Sequence, residues 1–182
     1  MQISKELVSM GKSAKIAGKT LANTSTSKRN TILKNVIAGL KRNKEILLQA
    51  NQIDLINGSQ NGLGVEILDR LELNSSRLDG LASDIQNLIQ LPDILGEEFE
   101  SKELENGLLL SKRRVPLGVI GAIYESRPNV TIDIASICIK SGNSCILRGG
   151  KESINTNKAL VDIISMALLD ADCPPEAVQF IE

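Results

Sequence analysis

Histidine is absent from the 182-residue sequence, and so is tryptophan. Without histidine the chain lacks the commonest general base and the commonest protein ligand for metals. The absence excludes Ser-His and Cys-His catalytic dyads within the chain, and with them the usual zinc sites. We therefore predict no metal site in these residues.

The chain also has few aromatic residues, almost no net charge and no long apolar run. One Tyr and two Phe make up 2% of the chain, so the core must be aliphatic and a nucleic-acid surface would lack stacking rings. With 21 basic and 22 acidic residues the net charge is -1, which gives no field of one sign to attract nucleic acid or a membrane. No run of about 18 apolar residues occurs, so the sequence predicts no membrane-spanning segment.

The three cysteines are Cys138, Cys145 and Cys173. An odd number at wide spacing argues against a disulfide framework. The N-terminal residues alternate charged with apolar side chains and lack the continuous apolar stretch of a signal peptide. Together these features favour a cytoplasmic location. No base lies near any cysteine in sequence, so we interpret all three as small buried hydrophobes.

The first 95 residues predict helices, because apolar residues recur at intervals of three and four. The Asn57-Gly58 and Asn61-Gly62 pairs are typical of turns, and Pro92 ends the last helix. The residues between 23 and 27 predict a break and a helix cap. The predicted buried stripes are Ile3, Leu7, Met10, Ala14, Ala17 and Leu21; Ile32, Leu33, Val36, Ile37 and Leu40; Ile46, Leu47, Ala50, Ile53 and Leu55; and Leu78, Leu81, Ile85, Leu88 and Ile89.

The pattern changes after residue 95, first to a hairpin and then to alternating strands and helices. An Asn106-Gly107 turn between two β-type segments predicts the hairpin. The run 117–124 is continuously apolar, which predicts a strand buried on both faces, and the helix after it should turn Ile134, Ile137 and Cys138 inward. We predict strands at 117–124, 144–147 and 178–181, and helices at 130–140 and 154–169.

This alternation predicts an α/β fold: N-terminal helices, a β-hairpin, then part of a doubly wound parallel sheet. The corresponding division is a helical part at 1–95, a hairpin at 96–115 and a βαβαβ part at 116–182. A parallel sheet of three strands leaves an edge unpaired, so residue 182 looks like the middle of a domain.

Polar segments follow the first two strands of this sheet, where ligands bind in open parallel sheets. We expect the two segments to lie side by side along one edge. They consist of Glu125, Ser126, Arg127, Pro128 and Asn129, and of Arg148, Gly149, Gly150, Lys151 and Glu152.

The second segment has the chemistry of an anion site. Its two glycines allow close approach of the backbone, its two cations flank them, and the following helix would add its positive end. It is neither the GxGxxG fingerprint nor a P-loop. The alternative is a tight turn with two solvated charges.

Asn129 offers an amide donor near a helix start, and such a donor can stabilise an oxyanion. The alternative is that Asn129 caps a helix beginning at Val130, and the residues alone favour that cap.

Five segments of the chain carry a resemblance to a known family. They are VPLGVIGAIYESRPNVTIDIASICIKSGNSCILRGGKES, ANQIDL, LDRLEL, LPDILGE and ELENGLLLSKRRVPLG. These segments resemble the gamma-glutamyl phosphate reductase family of the aldehyde dehydrogenase superfamily. IYESRPNVT and ILRGGKE are the specific parts, and the resemblance covers essentially the whole chain. It implies a truncated NAD(P)-binding domain of aldehyde dehydrogenase type and an oligomerisation hairpin. The activity it implies is reduction of L-glutamyl 5-phosphate by NADPH to L-glutamate 5-semialdehyde and phosphate, in proline biosynthesis.

The resemblance also implies roles for single residues. Arg148 matches the basic residue that holds the adenosine ribose, and Lys151 would favour the extra phosphate of NADPH. Glu125 to Pro128 match the segment that runs along the cofactor, and Arg127 would help to orient the acyl phosphate. Asn129 would match the oxyanion asparagine.

The family's nucleophile is a cysteine of a separate downstream domain, which none of the three cysteines here matches. Since family members are much longer, the resemblance implies an N-terminal portion that is inactive alone and whose reading frame continues. It further implies that the complete protein forms a homo-oligomer and has a functional link to glutamate 5-kinase. A kinase domain fused ahead of the chain is the less favoured arrangement. The alternatives are a related aldehyde dehydrogenase-like oxidoreductase and a non-catalytic fragment for nucleotide binding or association.

Overall fold

The computed structural model describes residues 4–182, so Ile3 of the first predicted stripe lies outside the described residues. Within them the predicted helices and strands occur in the predicted order, and one further helix, at Val65–Leu71, was not predicted. They are α1 (Lys5–Ala22), α2 (Thr26–Arg42), α3 (Lys44–Gln60), α4 (Val65–Leu71), α5 (Ser75–Gln90), β1 (Glu98–Glu103), β2 (Leu109–Arg113), β3 (Val119–Ile123), α6 (Pro128–Lys140), β4 (Ser144–Arg148), α7 (Ile154–Leu169) and β5 (Val178–Phe180). Short 3₁₀ turns at Lys151–Ser153 and Pro175–Ala177 precede α7 and β5.

Short polar side chains begin three of the helices. Ser4, Ser25 and Asn74 each accept a hydrogen bond from the backbone N–H three residues further on. Such a cap satisfies one of the N–H groups that the first helical turn leaves free. The break predicted around residues 23–27 is therefore confirmed.

The strands form two separate sheets. The antiparallel β1–β2 hairpin turns at Gly107, whose φ of 81° suits glycine. The strands β3, β4 and β5 are parallel and adjacent in that order. Their register places Ile123 opposite Arg148, so β3 and β4 end together.

One aliphatic core joins the helices to the parallel sheet. It contains the buried faces of α1, α2 and α5 together with those of α6, α7 and β4. Because this core runs through residues assigned to both the first and the third predicted parts, the division at 95 and 115 stays a prediction. Fully buried large side chains include Leu21, Ile32, Leu33, Leu40, Leu47, Ile132, Ile139, Leu147, Leu160, Ile164 and Leu168.

The predicted buried stripe of α3 is confirmed at Leu47 and wrong at Ile46 and Ile53. Leu47 is fully buried, Ile46 and Ile53 are 59% and 50% exposed, and Asn51 and Asp54 face inward instead. The helix turns a polar face to the core because that face binds other backbone segments, as described below. The predicted turn at Asn57-Gly58 is also wrong, because α3 continues to Gln60.

Two further burial predictions fail around the parallel sheet. Strand β3 is not covered on both faces: Val119 is 38% and Ile123 is 82% exposed, and β3 lies at the sheet edge. A continuous apolar run predicts two covered faces only for an inner strand. On α6, Ile137 points outward at 56% exposure, while Ile132 and Ala135 take the buried positions.

Candidate functional site

The two polar segments that follow β3 and β4 lie against each other, as predicted. The backbone N–H of Tyr124 donates to the carbonyl oxygen of Arg148 at 3.1 Å, and the Ser126 hydroxyl donates to the Glu152 carboxylate. That hydrogen bond lowers the pKa of Glu152, which is therefore charged at neutral pH. We call residues 125–129 and 148–152 together the strand-end site.

A chain of hydrogen bonds through buried side chains connects the two segments. Tyr124 and Thr131 join their hydroxyl oxygens at 2.7 Å, and Thr131 donates to Oδ1 of Asn157 at 2.8 Å. Nδ2 of Asn157 donates to Oγ of Ser153 at 2.9 Å, and that hydroxyl donates to the carbonyl oxygen of Gly150 at 3.0 Å. Burial raises the pKa of Tyr124, so its phenol remains a donor.

Sequence analysis missed this network. Thr131, Ser153 and Asn157 are fully buried polar residues at the starts of α6 and α7. The signal that could have revealed the network is a polar residue on the inward-packing face of both α6 and α7, because a buried polar side chain requires a hydrogen-bond partner.

The two glycines of the strand-end site are required by packing. A Cβ atom on Gly149 would lie 2.3 Å from Nδ2 of Asn157, and one on Gly150 would lie 2.0 Å from Oγ of Ser126. Protein atoms therefore occupy the space next to both glycines. Close approach of a ligand, the predicted reason for these two glycines, is not needed to explain why glycine occupies both positions.

Gly150→Ala is expected to lower the free energy of unfolding by about 2 kcal/mol, because the new methyl group forces Ser126 out of its place. Chemical denaturation of purified protein measures this loss. Adding Ser126→Gly should recover part of it by opening the space. Gly11→Ala, in a helix with nothing near the new methyl group, is the control and should be neutral or stabilising. A Gly150→Ala protein as stable as the wild type would contradict this packing.

Arg148 and Lys151 are exposed, and neither side chain forms an ion pair or hydrogen bond with any residue in 4–182. Lys151 lines a cavity of about 480 Å³ between the end of α3 and the start of α7, together with Asn155 and the acidic residues Asp54 and Glu152. Exposed cations without an ion-pair partner in this range are suited to phosphate groups.

The predicted contribution of the α7 N-terminus to anion binding is wrong. Asp54 of α3 already occupies this helix end: its carboxylate accepts from the N–H groups of Asn155 and Thr156 at 3.2 and 2.8 Å. It also accepts from the side chains of the same two residues. A carboxylate neutralises the positive helix end, so an anion at this site must rely on Arg148 and Lys151.

The first segment is a chain of exposed ion pairs. Nε of Arg127 lies 3.0 Å from Oε1 of Glu125, and Nη1 of Arg70 lies 3.3 Å from Oε2 of the same carboxylate. All three side chains are about half exposed, so the pairs are weak and a ligand can replace either partner.

The structure contradicts the interpretation of Asn129 as a helix cap. The helix α6 begins at Pro128 with Arg127 in the cap position, so Asn129 lies within the first turn. Its half-buried amide has no hydrogen-bond partner among residues 4–182. It lines a cavity of about 290 Å³ together with Arg127, Arg77 and Asp84. This position allows the amide to donate to a ligand, so the oxyanion role stays a prediction.

The three cysteines are buried, with exposures of 4%, 0% and 4% for Cys138, Cys145 and Cys173. Their interpretation as core residues is confirmed. Within residues 4–182, no group of three or more Cys, Asp or Glu side chains is arranged to hold a metal ion. In the same range no helix combines the length and the apolar character that a membrane crossing needs.

Curated relatives match nearly the whole chain. The gamma-glutamyl phosphate reductase of Vibrio vulnificus is 51% identical over 177 residues, which are 97% of this chain and 42% of the relative. That of Psychromonas ingrahamii is 50% identical over the same share of this chain. The chain thus spans about two fifths of the length of the curated relatives it matches. A comparison with protein-family models finds no match.

Solved structures agree with these relatives. The crystal structure of gamma-glutamyl phosphate reductase from Thermotoga maritima has a TM-score of 0.95 and 38% identity, covering 98% of this chain and 43% of that chain. The fold is shared more widely. A probable aldehyde dehydrogenase from Listeria monocytogenes has a TM-score of 0.71 at 22% identity, covering 97% of this chain and 36% of that chain. A glyceraldehyde-3-phosphate dehydrogenase from Methanocaldococcus jannaschii, complexed with NADP, has a TM-score of 0.69 at 21% identity, covering 100% of this chain and 37% of that chain.

The predicted α/β fold with N-terminal helices, a hairpin and part of a parallel sheet is confirmed by this agreement. The chain is therefore homologous, over nearly its whole length, to an N-terminal portion of gamma-glutamyl phosphate reductase, and it has an aldehyde dehydrogenase-like fold.

Proposed function

We propose that this chain forms the cofactor-binding part of an enzyme that reduces L-glutamyl 5-phosphate with NADPH, giving L-glutamate 5-semialdehyde and phosphate. One observation supports this most strongly. The strand-end site brings two cations without an ion-pair partner in the described residues, Arg148 and Lys151, beside the segment that leads to Asn129, in a chain half identical to reductases of that name.

The residues present fit a phosphorylated nicotinamide nucleotide. Arg148, at the end of β4, would hold the adenosine ribose, and Lys151 would offer its ammonium group to the further phosphate on that ribose. Residues Glu125 to Pro128 would border the cofactor between Arg148 and Asn129. When bound, NADPH would supply the hydride for the reduction.

The substrate end of the site is proposed at the start of α6. Asn129 would donate its amide hydrogen to the acyl oxygen as negative charge develops there. Arg127, once released from Glu125, would orient the acyl phosphate by its charge. The attacking thiol is not one of the three buried cysteines, so it must come from residues outside 4–182.

The direct test uses protein expressed from the complete reading frame. NADPH oxidation, followed by absorbance, should depend on added L-glutamyl 5-phosphate and release one phosphate per NADPH consumed. If the acyl phosphate does not stimulate NADPH oxidation, and the protein instead reduces NADP⁺ while oxidising an aldehyde with water in the absence of phosphate, a related aldehyde dehydrogenase-like oxidoreductase is favoured.

Lys151→Glu is expected to weaken NADPH binding by about 100-fold while changing NADH binding less than about threefold, because only NADPH carries the extra phosphate. Dissociation constants from nucleotide fluorescence titrations measure both. Lys12→Glu, which changes an exposed lysine of α1 in the same way, is the control. Equal losses for the two nucleotides would remove Lys151 from this role.

A homo-oligomer, a cytoplasmic location and a functional link to glutamate 5-kinase complete the proposal. The hairpin supports the first of these. Both of its strands are exposed along nearly their whole length, and Leu108, Leu109 and Leu110 are 62%, 77% and 50% exposed. Three consecutive exposed leucines on a hairpin are an apolar surface that association would cover.

A further inference from the structure

Arg70 of α4 is an arginine that the proposed reaction has not used, although it lies at the substrate end of the site. It lines the cavity of about 290 Å³ together with Arg127 and Asn129. Its Nη1 donates a hydrogen bond to Oε2 of Glu125 at 3.3 Å, and Nε of Arg127 lies 3.0 Å from Oε1 of the same carboxylate. One carboxylate therefore bridges two guanidinium groups beside the proposed oxyanion donor.

The other charged side chains of this cavity form no ion pair with either of these two arginines. The third arginine, Arg77, is held by two of the cavity's carboxylates: Nη2 lies 2.8 Å from Oδ1 of Asp69, and Nη1 lies 3.9 Å from Oε2 of Glu72. The remaining carboxylate, Asp84, pairs with no arginine in residues 4–182 and also lines the apolar groove between α5 and α6. The two bridged arginines thus share one carboxylate, and the three side chains together carry a net charge of +1.

The carboxylate of Glu125 marks a place for an anion between the two arginines. Guanidinium groups bind carboxylate and phosphate oxygens with the same fork geometry, so a phosphoryl group fits where this carboxylate lies. All three side chains are about half exposed, so the bridging ion pairs are weak and accessible to a ligand from solvent. Because a phosphoryl group carries about two negative charges and Glu125 carries one, the ligand should displace the carboxylate.

We infer that Arg70 binds the phosphoryl group of the substrate together with Arg127, and that Glu125 takes the place of that group in the free protein. The inference rests on the proposed function and adds to it a second phosphoryl-binding residue, on α4, and an internal competitor. The cavity that contains both arginines also contains Asn129. The phosphoryl oxygens and the acyl oxygen of one acyl phosphate therefore meet donors of a single cavity.

The first experiment replaces Arg70 in protein from the complete reading frame. Arg70→Gln should raise the KM for L-glutamyl 5-phosphate about tenfold, because a charged donor to the phosphoryl group is lost, and should change the Kd for NADPH less than about twofold. Arg70→Lys keeps the charge but not the fork, so the KM should rise only about threefold. Arg42→Gln, at an exposed arginine in the last turn of α2, is the matched control and should change neither constant.

The second experiment measures binding of inorganic phosphate by calorimetric titration, with NADP⁺ present to occupy the proposed cofactor end. Arg70→Gln should weaken phosphate binding about tenfold. Glu125→Gln should instead tighten it about threefold, because the variant keeps the size of the side chain and removes the charge that competes with phosphate. The two variants thus shift one affinity in opposite directions, which a merely structural role of this ion pair would not do.

The outcomes separate this inference from the proposed function. A phosphate affinity that is unchanged in Arg70→Gln, or lowered in Glu125→Gln, would overturn the inference. So would a loss in Arg70→Gln that is as large for NADPH as for L-glutamyl 5-phosphate, because it would assign the arginine to the cofactor phosphates. A wild type that does not reduce L-glutamyl 5-phosphate would contradict the proposed function, yet the phosphate titration would still decide the role of Arg70.

Discussion

Residues 1–182, purified alone, should oxidise no NADPH when L-glutamyl 5-phosphate is added. Covalent acyl transfer needs an accessible thiolate, and the three thiols of this chain are buried in its core. The hydrogen bond that Cys145 shares with Cys138 raises the pKa of Cys145, and burial raises it further, so this fully buried thiol stays protonated. Stopped assays with a detection limit about 10⁵-fold below a typical enzyme turnover test this expectation.

A chimaera makes the negative result informative. Residues 1–182 joined to the non-matching remainder of the Vibrio vulnificus relative should recover turnover, because that relative is 51% identical over the replaced part. Activity of residues 1–182 alone, lost on Cys138→Ser or Cys173→Ser, would contradict the placement of the nucleophile outside this chain. The burial of the thiols thus indicates that residues 1–182 alone can at most bind nucleotide or associate with other chains.

Asp54→Ala should lower the free energy of unfolding by at least about 3 kcal/mol. Its carboxylate accepts four hydrogen bonds, from the backbone and side chains of Asn155 and Thr156, at a side chain that is 2% exposed. Removing it leaves buried donors without partners and takes the cap from α7. Chemical denaturation monitored by circular dichroism measures the loss.

Asp54→Asn keeps the shape but has one acceptor oxygen instead of two, so about half of that loss is expected. Glu45→Gln, at an exposed position of the same helix, is the matched control and should change stability by less than about 0.5 kcal/mol. If Asp54→Ala unfolds at the same denaturant concentration as the wild type, the cap does not stabilise α7.

Local signals in the sequence predicted the hairpin, the parallel strands and α7, which begins and ends at the predicted residues. These elements depend on turn residues and on periodicity within a few residues of each other. The adjacency of the strand-end segments was also predictable, because parallel strands joined by helices align their carboxyl ends.

The buried face of α3 was not predictable in the same way. Asn51 and Asp54 face inward because their partners lie far along the chain: Asn51 bonds the backbone of Leu71 and Leu73, and Asp54 caps α7. A sequence pattern that counts apolar residues cannot identify a helix face stabilised by distant backbone groups. For the same reason Ile46 and Ile53 of α3 were assigned to the wrong side, while Leu47 was assigned correctly.

At the strand-end site the residue types were predicted but their physical roles were not. Gly150 fits against Ser126, and the α7 helix end is filled by Asp54. Both facts depend on segments that meet only in three dimensions. The exposed cations Arg148 and Lys151 keep the predicted chemistry because neither forms an ion pair within the described residues.

Hydrogen–deuterium exchange with and without NADPH, on protein from the complete reading frame, tests directly whether the strand-end site holds the cofactor. Saturating NADPH should slow exchange in both the 125–129 and the 148–152 segments, and Lys151→Glu should remove the effect at the same concentration. Protection confined to other parts of the chain, with both segments unchanged, would contradict the account.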